Sequence, residues 1–166
     1  MKTLRLPRRG LAAFSVVTAV AAAASSSAPA AAHAATPCGS IVSDAVIPAW
    51  ARGGFSEPKP RVTHVLGRSD SIIAILFGAR TLHAPPATGR NNKILWIARR
   101  QPSLGDMHIR AQRMRGTQLL GKPVSRLVPG GPGPSTIDLP AAGCWRFTLT
   151  WKTGHDTLDL GYAARS

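Results

Sequence analysis

The stretch that decides the fold is PAAGCWRFTLTWKTGHDTLDLGY, residues 140–162. Trp145, Phe147, Leu149 and Trp151 alternate with Arg146, Thr148 and Thr150, the period-two pattern of a strand with one face buried and one in water. After the turn KTGHD, Leu158, Leu160 and Tyr162 share a face over Thr157 to Tyr162 in the same way. Two alternating runs around a short glycine-containing loop predict a β-hairpin, and PAAG predicts a turn leading into its first strand.

Working outward, SIIAILFG (residues 71–78) is an apolar run of strand length, bounded by Arg68-Ser69-Asp70 and Gly78. Its β-branched isoleucines favour a strand buried on both faces over a short buried helix. The prolines and glycine of APPATGRNN (residues 84–92) predict a loop before NKILWIARR. There Ile94, Trp96 and Ala98 alternate with Leu95 and Ile97, so both faces are apolar and the strand is interior. In GDMHIRAQRMRG (residues 105–116), Met107, Ile109 and Ala111 alternate with His108, Arg110 and Gln112, predicting a strand with one wet face. From Gly116 to Pro134 the glycines and prolines predict mostly loop, with QLL and SRLV as short pieces at most. Short strands without sustained helical patterns predict an all-β sandwich of about seven strands, with a small barrel as the alternative.

The beginning of the chain reads as a secretory signal over residues 1–34. Lys2, Arg5, Arg8 and Arg9 precede an apolar run from Leu11 to Ala24, and Ala32-His33-Ala34 offers a small-residue cleavage site. That run is 14 residues, short of the roughly 20 needed to cross a bilayer. The pair Arg8-Arg9 leaves Sec and twin-arginine export both open. Removing 34 of the 166 residues leaves 132, enough for one domain: an extension over 35–60 that carries Cys38, then a sandwich over 61–166. The whole chain has 21 Lys+Arg and 7 Asp+Glu; the signal takes four of the bases and no acid, so the remainder carries 17 against 7, or +10. That surplus favours contact with anionic polymers or surfaces.

An oxidising compartment permits disulfides, and two cysteines allow a single pairing, Cys38 with Cys144. In the loop-entropy description, closing a loop of about 100 residues stabilises by roughly 4 to 5 kcal/mol. Two independent free thiols are the competing reading.

The segments NNKILWIAR and PSTIDLPAAGCWRFTLTW together resemble a group of small secreted bacterial proteins of unassigned activity. In that group an N-K-x-L-W strand precedes a P-S-x-x-x-x-P-x-x-G-C-W strand. The matched positions are Asn92, Lys93, Leu95 and Trp96, then Pro134, Ser135, Pro140, Gly143, Cys144 and Trp145, and the resemblance spans roughly His64 to Ala164. It implies an immunoglobulin-like β-sandwich outside the cell, and it supplies no substrate, cofactor or catalytic residue.

Catalytic chemistry finds little purchase in the residues themselves. A nucleophilic Cys144 would need a neighbouring base, whereas His64, His83, His108 and His155 fall on separate predicted elements. Ser135 lacks the G-x-S-x-G elbow, and the glycine-proline segments lack phosphate-loop spacing. His155-Asp156 is the one adjacent pair of plausible metal ligands and falls at a predicted hairpin tip, so neither a metal nor a cofactor is expected. Arg99, Arg100, Arg110, Arg113 and Arg115 are the candidate anion-binding residues, since strand geometry allows them to converge on one edge and guanidinium suits phosphate and carboxylate.

These readings predict a non-catalytic surface-recognition protein at the cell envelope. Its expected partner is an anionic envelope polymer or another envelope protein, with no nucleic acid and no transmembrane anchor in the mature chain. The competing classes are an extracellular hydrolase or lyase, built from a histidine with Asp138, Asp156 or Asp159, and a scaffold subunit that binds a partner through a sheet edge.

Overall fold

In the computed structural model the C-terminal hairpin forms around a tighter turn than KTGHD predicts. Gly154 pairs directly with Trp151, so only Lys152 and Thr153 make the turn, and His155 and Asp156 belong to the second strand. Residues 38–77, 81–86, 89, 92–100 and 105–164 are described; the export signal read over residues 1–34 lies outside them.

Ten strands run in chain order: β1 (Val42–Ser43), β2 (His64–Leu66), β3 (Ile72–Leu76), β4 (Leu82–His83), β5 (Lys93–Ala98), β6 (Met107–Arg115), β7 (Gln118–Val128), β8 (Pro134–Thr136), β9 (Gly143–Trp151) and β10 (Gly154–Ala163). They make two five-stranded sheets, β1-β2-β3-β5-β8 and β4-β10-β9-β6-β7. The expected sandwich is therefore present, with ten strands in place of about seven because the short pieces β1, β4 and β8 add to the sheet edges. All pairings are antiparallel except β4 with β10.

The main core lies between the sheets. Ile72, Ala74 and Leu76 of β3 and Ile94, Trp96 and Ala98 of β5 meet Met107, Ile109, Phe147, Leu149, Leu158 and Leu160 of the second sheet. Phe147 sits at the centre, 6.1 Å from the Trp96 ring and 6.4 Å from that of Tyr162. The Tyr162 hydroxyl donates to the Ile137 carbonyl at 2.8 Å, and burial pushes its phenol pKa up.

Both faces of β3 and β5 are apolar because a second core covers the outer face of the first sheet. Ile73, Ile75 and Ile97 pack there against Ile47 and Ala51, with Trp50, Phe55, Val62 and Leu95 alongside. The covering segment includes a single 3-10 turn, Ala49–Ala51. Within the 35–60 extension, Val42–Ser43 supply β1, and Ile47, Trp50, Ala51 and Phe55 supply about half of the second core.

The extension is also fastened to the second sheet. Cys38 and Cys144 form a disulfide with Cα atoms 5.5 Å apart, which fulfils the pairing predicted above. Ser40 Oγ accepts the Asp159 backbone N–H at 2.8 Å. Below it, Asp159, whose side chain is 0 % exposed, takes Arg146 Nε at 2.9 Å and Arg68 Nη2 at 2.8 Å.

The segment after Gly116 departs most from expectation, since β7 is an eleven-residue strand rather than a loop. Gly116, at φ +57°, opens the two-residue turn that joins it to β6. The register then jumps from Arg113↔Leu120 to Ala111↔Val124, so Gly121, Lys122 and Pro123 bulge opposite Gln112. Such residues are tolerated because β7 is an edge strand, where a missing proline N–H costs no ladder bond.

Candidate functional site

A cleft opens at one end of the sandwich where both sheets and the extension meet. The antiparallel pairing Ile72↔Ala98 brings Ser71 beside Arg99, whose N–H donates to the Ser71 carbonyl at 2.8 Å. The end of β9 supplies Trp151, the turn after it Thr153 and Gly154, and the 3-10 turn supplies Trp50. Together with Arg99 and Arg100 these residues line a cavity of about 540 Å³.

Several contacts hold this lining in place. Arg52 Nε donates to the Ile47 carbonyl at 3.0 Å, which closes the segment carrying Trp50. Trp151 is only 6 % exposed, and Gly154 lies so close that a Cβ there would sit 2.9 Å from Trp151 Cζ2. Arg99 Nη1 reaches Asp70 Oδ2 at 3.0 Å, and Asp70 itself has a left-handed backbone, φ +55°, which aspartate tolerates better than most residues.

The turn bearing Ser69, Asp70 and Ser71 is in turn held by Asp156. This carboxylate, 3 % exposed, accepts N–H bonds from Ser69 at 3.0 Å, Ser71 at 3.0 Å and Thr157 at 2.7 Å. The expectation of a solvated hairpin tip at His155-Asp156 is corrected here. Asp156 faces the interior on the Leu158 side of β10 and ties the two sheets together.

The large lining side chains share one chemical property. Indole and guanidinium groups donate hydrogen bonds and cannot accept them. Arg100 has no ion pair among the described residues, and Arg99 commits one nitrogen to Asp70 Oδ2; the Trp50 Nε1–H and Asp70 Oδ1 are both buried without a partner. The cleft therefore complements a ligand rich in acceptor oxygens and negative charge.

Of the five arginines singled out by sequence, the structure brings Arg99 and Arg100 to this cleft and leaves Arg110, Arg113 and Arg115 away from it. The start of β6 lies beside the end of β9, and each residue along β6 adds about 3.4 Å, so Arg115 stands roughly 25 Å down the strand. Arg110 is exposed on the outer face between Ser125 and Thr148. Arg113 lies against Gly143, where a Cβ would be 3.0 Å from its Nε. What sequence reasoning missed were Trp50 and Trp151, the first hidden in an apparently irregular extension, the second counted only as core.

The remaining candidates are dispersed. His64 is buried with Nδ1 2.8 Å from the Val62 carbonyl. His108 and His155 are exposed on either side of Thr150. Asp138 Oδ1 accepts from Asn92 Nδ2 at 2.7 Å, and the same amide clamps both backbone groups of His83. Ser135 Oγ accepts the Trp96 indole N–H. Among the described residues no group of three or more His, Cys, Asp or Glu side chains gathers as a metal site, and no helix is long and apolar enough to cross a membrane. No family model matches the chain, and neither the curated proteins nor the solved structures give a match to it.

Proposed function

We propose that this chain is an exported, non-enzymatic recognition domain that holds anionic material of the cell envelope. The observation that carries this reading is the cleft with Arg99 and Arg100 on its wall. The signal-like N-terminus, the +10 charge of the remainder and a disulfide suited to an oxidising compartment support it.

The carboxylates of the competing hydrolase reading have structural partners. Asp156 is occupied by three backbone N–H groups, Asp159 by two arginines and Asp138 by Asn92. Addition of a partner strand to β7 is opposed by its bulge, by Pro123 and by Arg126. Arg126 stands opposite core-facing Ile109 and donates across to the Asp138 carbonyl at 3.0 Å.

The test is retention of the purified mature chain on isolated cell walls and on anionic vesicles across a salt series. Retention that falls as salt rises is expected. No salt-sensitive retention on either surface would sink the envelope reading.

A further inference from the structure

We infer that the cleft takes one short unit of an acidic saccharide, a sugar ring bearing a carboxylate or phosphate, with the anion between Arg99 and Arg100 and the ring against Trp50. This rests on the recognition reading above and adds a site and a ligand class to it.

The two arginines of the lining set the charge. Guanidinium forks pair with two oxygens of one anionic group, and Arg100 has no ion pair among the described residues. Thr153 adds a hydroxyl, and Ser71 a second that it shares with Ser69 Oγ at 3.1 Å; hydroxyls exchange hydrogen bonds in either direction and so suit a polyhydroxy ring. Trp50 is partly exposed and offers a flat apolar face.

Shape sets the size and argues against a bilayer. A cavity of about 540 Å³ lies within the usual small-ligand range of about 300–1,000 Å³, so it holds a short unit and not an extended surface. Trp151 is too buried to insert into a membrane, and the exposed apolar side chains Ile41, Leu66, Phe77 and Leu127 are not part of the lining. Insertion into lipid would need such groups beside the arginines.

The experiment follows tryptophan emission of the mature chain during titration with five probes: trigalacturonate, its carboxyl-reduced neutral counterpart, glucose 6-phosphate, inorganic phosphate, and phosphatidylglycerol vesicles. At least one charged saccharide is expected to bind tenfold or more tighter than the neutral trisaccharide and inorganic phosphate. Which of the two binds assigns carboxylate or phosphate. R100Q is expected to weaken that binding about tenfold and W50F several-fold, with R110Q unchanged and the melting temperature of all three near wild type.

Equal binding of the neutral trisaccharide, equal binding of inorganic phosphate, response to vesicles alone, or equal loss in R100Q and R110Q would each overturn the inference. If no probe binds yet cell walls still retain the chain in a salt-sensitive way, this site assignment fails and the broader function stands. Loss of wall retention as well removes both.

Discussion

Trp96 donates its indole N–H to Ser135 Oγ at 2.9 Å, across the β5–β8 edge of the first sheet. The serine that sequence inspection weighs as a nucleophile is thus the acceptor that lets a tryptophan be fully buried. Substituting S135A leaves that donor unsatisfied, and an unpaired buried donor costs about 1–3 kcal/mol. Urea denaturation of S135A should show a loss in this range with an unchanged m-value; wild-type stability would mean the bond contributes nothing.

Asp159 makes the fold sensitive to acid. Burial pushes its carboxyl pKa up, but hydrogen bonds from Arg146 and Arg68 outweigh this and hold it below the usual carboxylate range. A depressed folded-state pKa stabilises the protein above the unfolded value of about 3.9 and loses that contribution as pH falls through the lower folded value. The wild-type melting temperature should fall with decreasing pH below about 4, and D159N should flatten this part of the profile. At neutral pH, D159A should cost about 1–3 kcal/mol, since it removes the acceptor of the half-buried Arg146 and of Arg68.

Gly67 and Asp156 are coupled by space. A Cβ at position 67 would collide with Oδ2 and Cγ of the carboxylate that caps the Ser69–Ser71 turn. G67A should therefore displace Asp156 and destabilise by about 2–4 kcal/mol. D156A should cost a similar amount, and the double variant little more than either alone, because both remove the same support. Additive losses in the thermal melts would refute the coupling.

The disulfide closes a separation of 106 residues. In the loop-entropy description this stabilises by about 4–5 kcal/mol. The C38S/C144S variant should lose most of that in denaturation without reductant, and it should become insensitive to reductant where wild type is not. Met114, buried beside Cys144 on the outer face, should also become more accessible to oxidation.

The readable part of the fold was the part governed by period-two burial. β3, β5, β6 and β9 lie where alternation or a doubly apolar run placed them, and the hairpin partner β10 starts three residues earlier, at Gly154, and ends one later, at Ala163. β7 escaped because Gly121 and Pro123 are loop residues in composition, and only its position at an edge makes them acceptable in a strand. The second core escaped because Ile47, Trp50, Ala51 and Phe55 recur at three- and four-residue spacings in a segment that Pro48, Gly53 and Gly54 break, so that it forms a single 3-10 turn and no element long enough to be recognised by period. The cleft was half legible: Arg99 and Arg100 were among the basic candidates, but Trp50 reaches them through tertiary folding of a proline-rich segment that carries no local signal.

The same staple decides how the molecule responds to tension. A pull from upstream enters at Cys38 and crosses at once into Cys144, while a pull from downstream leaves β10 near Ala163. Cys144 pairs with Gly161 and Gly143 with Tyr162, so the two points of load lie at the same end of one strand pair. Force between the ends would bypass β1 through β8 and act to unzip β9 from β10, beginning at the end opposite the cleft. The first sheet, and the turn that carries Asp70 and Ser71, would hang outside the loaded path as slack covalent loop.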